Sequence, residues 1–276
     1  MFFNRYIVWF LFLIIAVRLS LIGFPSFKID MNSWQAWSAR LVETTPSNFY
    51  APNYFADYFP GYLYMLWFLG NLFNLLFPNF SIFSPGFELF LKLFTNIFDL
   101  ATAFYIYRIV SKYQKKLSLF SVVLYLGNPG LAFNSSVWGQ VDGILTFFLV
   151  FPAYLLLELK KVFQFSFFAA LSILVKPQGL AIFPILIIHL ISSFKNKKYF
   201  SLLLIPTFLI LFSLPFFLKD PILGLFHLFQ KSASTYPYTS MFSYNFWSLI
   251  GFWVSDSKLF LQLSYQTWGG LIYLIS

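Results

Sequence analysis

The sequence predicts an all-α polytopic membrane protein, and three observations carry that expectation. Hydrophobic residues make up 59% of the 276 and charged residues 10%. That is more apolar surface than a soluble chain of this length hides. The apolar residues fall into runs near the length of about 20 residues that crosses a bilayer as a helix. The charges fall in short clusters between those runs, the pattern that orients membrane helices. The net charge of +9 therefore reads as membrane orientation, with membrane lipids as partners and no nucleic acid. There is no Cys, hence no disulfide framework or thiol chemistry. The two His, His189 and His227, lie far apart and lack any metal-ligand spacing.

The elements follow in order. Residues 4–23 form the first span, too long for a signal-peptide core and followed by no A-x-A-type cleavage site. The loop 24–87 comes next, long enough to need elements of its own. Within it, Met31 to Val42 places Trp34, Trp37 and Leu41 on one helical face and Asn32, Gln35, Ser38 and Arg40 elsewhere. This predicts a short amphipathic helix with its tryptophans at interface depth. Pro60-Gly61 opens a more apolar helix over 60–77, with Pro at a tolerated first-turn position. Spans are then expected at 88–110, 117–134, 140–157, 163–175, 178–194, 199–218 and 258–276. The chain ends inside an apolar run, TWGGLIYLIS. Either that helix closes the protein or further spans follow.

Only 60–77 is ambiguous, and the basic residues decide it. With a cytoplasmic N-terminus and 60–77 returning to the outer face, Arg5, Arg108, Lys112, Lys115, Lys116, Lys160, Lys161, Lys195, Lys197 and Lys198 are cytoplasmic. These ten stand against five outside: Lys28, Arg40, Lys219, Lys231 and Lys258. If 60–77 crosses, the bias reverses and breaks the positive-inside rule. Eight spans are therefore expected, in a single domain over 1–276 with the interfacial helices in its first outer loop. Seven of the nine acids, all but Asp99 and Glu158, then lie at or near the outer face.

The polar islands have two readings each. Asp30, in SFKIDMNSWQAW, reads on chemistry alone first as an N-cap, and second as a general base for a hydroxyl. Asp57 lies among Tyr54, Tyr58, Tyr62 and Tyr64; it caps an interfacial loop or joins aromatic faces suited to a sugar ring. In FNSSVWGQVDG, Asp142 falls in the first turn of the next span, where the positive helix end favours it. With Trp138 and Gln140 it also offers hydrogen bonds and a stacking face for a carbohydrate. In VKPQG, Pro177 starts a helix, and Lys176 with Gln178 stands beside its free N–H groups as an anion site; plain snorkelling is the other reading. Arg18 and Asp99 are expected to pair and fix helix packing, since an unpaired charge at membrane depth is costly.

Taken together, DMNSWQAW, DYFPGYLY, NPG followed by NSSVWGQVDG, LVKPQGLAIFP and YNFWSLIG resemble the GT-C membrane glycosyltransferases. The nearest pattern is that of the bacterial and archaeal mannosyltransferase-like proteins related to the PIG-V enzyme of GPI-anchor synthesis, over Asp30 to Gly251. A Tyr-Pro-Pro run common in such proteins is replaced by Tyr58-Phe59-Pro60-Gly61. The resemblance implies a multi-pass protein of the cell membrane with its active site on the outer face. It implies transfer of a sugar, a mannose-like hexose, from a polyprenyl-phosphate donor to a lipid, glycan or protein acceptor, usually with inversion. Asp30 matches the family's acidic residue after the first span and is the expected catalytic base. Asp57, Trp138, Gln140, Asp142, Lys176 and Gln178 are expected to hold substrate, with Lys176 neutralising the leaving phosphate. No cofactor is required; a divalent ion between Asp30 and Asp57 stays open. The alternative class is a transporter or lipid-linked sugar flippase, since broken helices and intramembrane charges also mark transporters. A non-catalytic scaffold is the third.

Overall fold

A computed structural model describes residues 2–192, 202–241 and 246–275, and these are mostly helical, as the sequence predicts. Lys195, Lys197, Lys198, Tyr244 and Asn245 lie outside the described residues. The chain divides into two compact units, Met1–Gly224 and Leu225–Ser276.

The first unit begins with α1 (Phe2–Leu21), α2 (Lys28–Thr44), α3 (Pro60–Leu76) and α4 (Pro85–Tyr113). It continues with α5 (Ser118–Leu126), α6 (Pro129–Ala132), a π-helical turn over Phe133–Trp138, α7 (Asp142–Leu157) and α8 (Val162–Val175). A 3₁₀ segment, Pro177–Ile182, leads into α9 (Phe183–Ser192), and α10 is Leu204–Ser213. Helix α11 (Pro221–Ser234) starts in the first unit and ends in the second. Proline opens α3, α4, α6 and α11, where its missing N–H costs no intrahelical bond.

Length sets what each helix can do. Only α4, with 29 residues, is by itself long and apolar enough to cross a bilayer among the described residues. The segments Lys115–Leu126 and Pro129–Trp138 pass together, bent by 50° as a broken span or re-entrant loop. Shorter apolar helices cover Tyr6–Leu21, Asp142–Leu157, Val162–Val175, Pro177–Ile188 and Leu204–Ser213.

Four expectations need correction. The run 117–134 is not one helix. Pro129 cannot continue α5 and pushes Asn128 into an extended conformation. The Asn128 side chain then caps α6, accepting from the Gly130 and Leu131 N–H groups at 2.9 and 3.3 Å. Residues 258–276 are not one helix either. Leu259–Phe260 and Leu263–Ser264 form an antiparallel hairpin, and only Tyr265–Ile275 is helical, α12. Its two turn residues, Leu261 and Gln262, both have positive φ, as a two-residue hairpin turn demands, but neither carries the Asn or Gly that would announce it. Helix α11 lies where a loop was expected. Last, Trp34 and Trp37 are buried in protein, not held at an interface. Gln35 and Ser38 of α2 are buried too: Ser38 Oγ donates to the Leu66 carbonyl at 2.8 Å and Gln35 Nε2 to that of Ser84 at 3.2 Å. The polar residues of α2 thus bind neighbouring backbone, a use that a hydrophobic pattern does not reveal.

Helices α2 and α3 form the centre of the main core, where Met31, Trp34, Leu41, Leu63 and Leu66 are fully buried. Helix α3 presses against the end of α8 at Gly61, where an added Cβ would lie 2.6 Å from the Leu174 carbonyl carbon and 2.7 Å from the Val175 nitrogen. Backbone on both sides leaves nothing flexible to yield. Gly61→Ala should therefore cost about 1–3 kcal/mol, the usual range for overpacking, read as a lowered unfolding midpoint of the purified protein. An unchanged midpoint would contradict this packing.

The polar pairs tie the ends and the middle of the bundle. At one end of α4, Lys112 and Tyr113 both bind Glu158, the residue that follows α7, the Tyr113 hydroxyl at 2.6 Å. At the other end, Glu88 accepts from Lys28 at 2.8 Å and from the Ser26 N–H at 3.1 Å. Lys92, on the next turn, reaches Glu88 at 3.3 Å and the carbonyls of Ile22 and Phe24. In the middle, Arg18 pairs with Asp99, as the sequence leads one to expect, and both are buried. Arg18 also donates to Asn96 Oδ1 at 3.0 and 3.1 Å and to the Leu126 carbonyl at 3.3 Å.

Candidate active site

The stretch FNSSVWGQVDG becomes the π turn, a left-handed glycine and the start of α7. Insertion of an extra residue into a helical turn widens it and frees carbonyls; such turns are frequent at functional sites. Here the Asn134 carbonyl accepts from both Gly139 and Gln140 N–H groups at 3.0 Å. Gly139 has φ 83°, and a Cβ there would sit 2.9 Å from Met31 Cε and 3.1 Å from Lys92 Cγ. Only glycine meets both demands. The inner face of the turn is anchored by Ser136 Oγ, which donates to Asn96 Oδ1 at 2.9 Å. Asn96 is the residue that Arg18 also grips, so the buried charge pair and the π turn share one support.

This turn aims Trp138 and Gln140 at α2. Trp138 Nε1 donates to Asp30 Oδ2 at 2.9 Å, and Gln140 Nε2 donates to the same oxygen at 2.5 Å. Trp138 is braced by Phe27 at 5.0 Å and Phe133 at 6.2 Å between ring centroids. Asp30 is not an N-cap: Phe27 holds that position and makes no side-chain cap. Oδ2 is thus occupied by two donors, while Oδ1 makes no hydrogen bond among the described residues. Half-burial pushes the Asp30 carboxyl above its usual range; the Trp138 hydrogen bond and the Lys176 charge oppose this, and the Asp142 charge adds to it.

Asp142 is the first residue of α7, as expected. Its Oδ1 receives Lys176 Nζ at 2.5 Å and its Oδ2 the Asn134 side-chain amide at 3.3 Å. Lys176 sits in extended backbone between α8 and the 3₁₀ turn that Pro177 opens. It is therefore an ion-paired lysine. Its ammonium also lies 5.8 Å from the centre of the Tyr58 ring. Burial pushes the Tyr58 hydroxyl well above its usual range, and the charges of Asp142, Asp30 and Asp57 add to that. Asp57 stands on the Tyr50 and Tyr58 side of this cluster, half-buried.

The structure thus brings together Asp30, Trp138, Gln140, Asp142 and Lys176, with Asp57 within electrostatic reach through Tyr58. Gln178 is exposed, and no contact among the described residues joins it to the cluster. Two residues join that were not among the expected site residues: Tyr58, under the lysine, and Asn134, on the second oxygen of Asp142. The Glu88–Lys92 pair was also missed, although its i,i+4 spacing is the standard helical signal for an ion pair. Among the described residues, no group of three or more His, Cys, Asp or Glu is placed to hold a metal ion.

Two atoms at the site lack partners. Gln140 Oε1 and Asn134 Oδ1 are buried and make no hydrogen bond. Buried polar atoms are normally satisfied, so both oxygens are available to accept from a water or a bound molecule. On the other side of the π turn, Phe133 and Val137 help line an apolar cavity of about 430 Å³ against α1, and the buried Arg18 also borders it.

No family model, curated protein or solved structure matches the chain.

Proposed function

We propose that the chain is a multi-pass membrane glycosyltransferase of the GT-C type, moving a mannose-like hexose from a polyprenyl-phosphate donor to an acceptor hydroxyl on the non-cytoplasmic side. The observation that carries this reading is the Asp30 carboxylate: half-buried, raised in pKa, with one oxygen fixed by Trp138 and Gln140 and the other unengaged. Membrane insertion is supported by the surface. Trp9, Phe12, Leu75, Ile188, Ile191 and Leu203 are all more than half exposed, an apolar surface of a kind that soluble monomers rarely carry. A lipid-linked donor is supported by the apolar cavity that shares the π turn with the polar site.

In the proposed reaction the acceptor oxygen attacks the anomeric carbon, and the bond from that carbon to the donor phosphate breaks. Asp30 Oδ1 takes the acceptor proton. A general base of this kind works best when its pKa is shifted toward the working pH, and burial supplies that shift. The departing phosphate carries the charge that develops in the transition state, and Lys176 is the group to meet it. In the free protein Lys176 is already paired with Asp142, so the phosphate shares or exchanges that contact. Trp138 gives the sugar a stacking face, and the Gln140 and Asn134 side-chain oxygens accept hydrogen bonds from its hydroxyls.

The test is incubation of the purified protein with labelled polyprenyl-phosphate mannose, glucose and galactose. Loss of one donor with formation of a glycosylated acceptor is expected; stability of every donor in the presence of lipid acceptors would contradict the proposal. Lys176→Gln probes the phosphate contact separately. A charge-assisted hydrogen bond is worth roughly 1.5–3 kcal/mol, so donor affinity should fall about ten- to a hundredfold, and unchanged affinity would remove Lys176 from the donor site. Orientation is checked by reporters: one fused after Lys116 should read cytoplasmic and one after Asp57 external. The reverse pair of signals would invert the proposed sidedness.

A further inference from the structure

The Leu225–Ser276 unit has a pair of cavities that the proposed transfer site does not use. One, of about 160 Å³, is lined by Tyr238, Thr239, Asp256 and Gln266. The other, of about 330 Å³, is lined by apolar side chains, among them Ile250, Leu261 and Ile272. Trp247 and Tyr265 line both, their rings 6.4 Å apart and edge to face, so an open polar hollow and an open apolar one adjoin at two aromatic rings. The apolar one by itself reaches the lower end of the range of about 300–1,000 Å³ typical of small-molecule sites.

We propose that this pair of cavities binds a lipid with an uncharged polyhydroxyl head, the head in the polar hollow and the chain in the apolar one. Sugar rings present C–H faces that pack on aromatic rings, and the two shared residues offer such rings. Their hydroxyls need acceptors and donors. The Asp256 carboxylate and the Gln266 amide make no hydrogen bond to other described side chains, so both are free to serve a ligand. Among the described residues Asp256 is the one charged residue lining either cavity, and its sign disfavours a phosphate head. Lys258, two residues on, lines neither. The frame is fixed by backbone bonds: Gln266 N–H donates to the Asp256 carbonyl and Asp256 N–H to that of Pro237, both at 3.0 Å. Trp268 Nε1 donates to the Phe260 carbonyl at 2.8 Å, holding α12 to the hairpin.

The experiment uses the full chain in phosphatidylcholine nanodiscs and a decyl glucoside carrying a diazirine at the chain end. Decanol and decyl phosphate with the same diazirine serve as controls. On illumination the glucoside should label peptides within 246–272 saturably, with the two controls labelling at least about tenfold less. Gln266→Ala and Asp256→Asn should each lower glucoside labelling severalfold without moving the unfolding midpoint. Equal labelling by decanol would mean an apolar patch with no head-group site, and stronger labelling by decyl phosphate would reverse the charge argument. Either result, labelling elsewhere in the chain, or full labelling in both variants would overturn the proposal. Asp30→Asn protein should label normally, so failure here and failure of the transfer reading are separable.

Discussion

Asp30→Asn is expected to lower sugar transfer by about 10²–10⁴-fold, the usual cost of losing a general base, while donor affinity stays within a few-fold of the parent. The substitution keeps the size of the side chain and its acceptor for Trp138 and Gln140. What it removes is the proton acceptor. The pH profile gives an independent reading. Burial raises the Asp30 pKa above its ordinary value. Since the reaction needs the carboxylate, kcat/KM should climb as pH rises through that raised pKa, at a pH above the usual carboxylate range near 3.9. In Asp30→Asn this limb should vanish and the residual rate should be flat there. Folded variant protein with near-normal transfer would remove Asp30 from the chemistry.

Asp99→Leu should destabilise the bundle by about 3–5 kcal/mol, because it strands Arg18 as a buried, uncompensated charge. The Arg18→Leu single variant, which strands Asp99, should cost a similar amount. The double variant Arg18→Leu/Asp99→Leu should recover much of the loss, since an apolar pair of similar volume often matches a buried ion pair. The double-mutant cycle of unfolding midpoints measures that coupling. Additive losses would mean that the two charges do not act as a pair. The effect should also reach the candidate site. Arg18 holds Asn96, and Asn96 holds Ser136 in the turn that aims Trp138 and Gln140 at Asp30.

Some of this was legible in residues whose chemistry leaves few choices. Proline at 60 and 177 marks helical starts, because its ring fixes φ and its missing N–H is harmless in a first turn. Two opposite charges in apolar runs, Arg18 and Asp99, had each other as the natural partner. Asp30, Trp138, Gln140, Asp142 and Lys176 stood out as polar groups in apolar surroundings, and they do lie together. The contacts among them were not legible. Nothing in the sequence reports the π turn, which depends on one extra residue in a helical ring and on the space at Gly139. Nor does it report that Asp142 neutralises Lys176, a contact between residues 34 positions apart. Asp30 looked like a cap because caps are local, whereas its real partners are 108 and 110 positions away. The hairpin after Lys258 escaped because its turn residues, Leu261 and Gln262, bear none of the usual turn chemistry.

The most direct test follows the fate of the donor in proteoliposomes. Polyprenyl-phosphate mannose labelled in both sugar and phosphate is supplied on one face with an alkyl glycoside acceptor, and cleavage and crossing are measured together. The account predicts that the sugar–phosphate bond breaks, mannose appears on the acceptor, and the polyprenyl phosphate remains on its original face. Passage of intact donor to the opposite face, with no cleavage, would contradict it and mark the chain as a flippase.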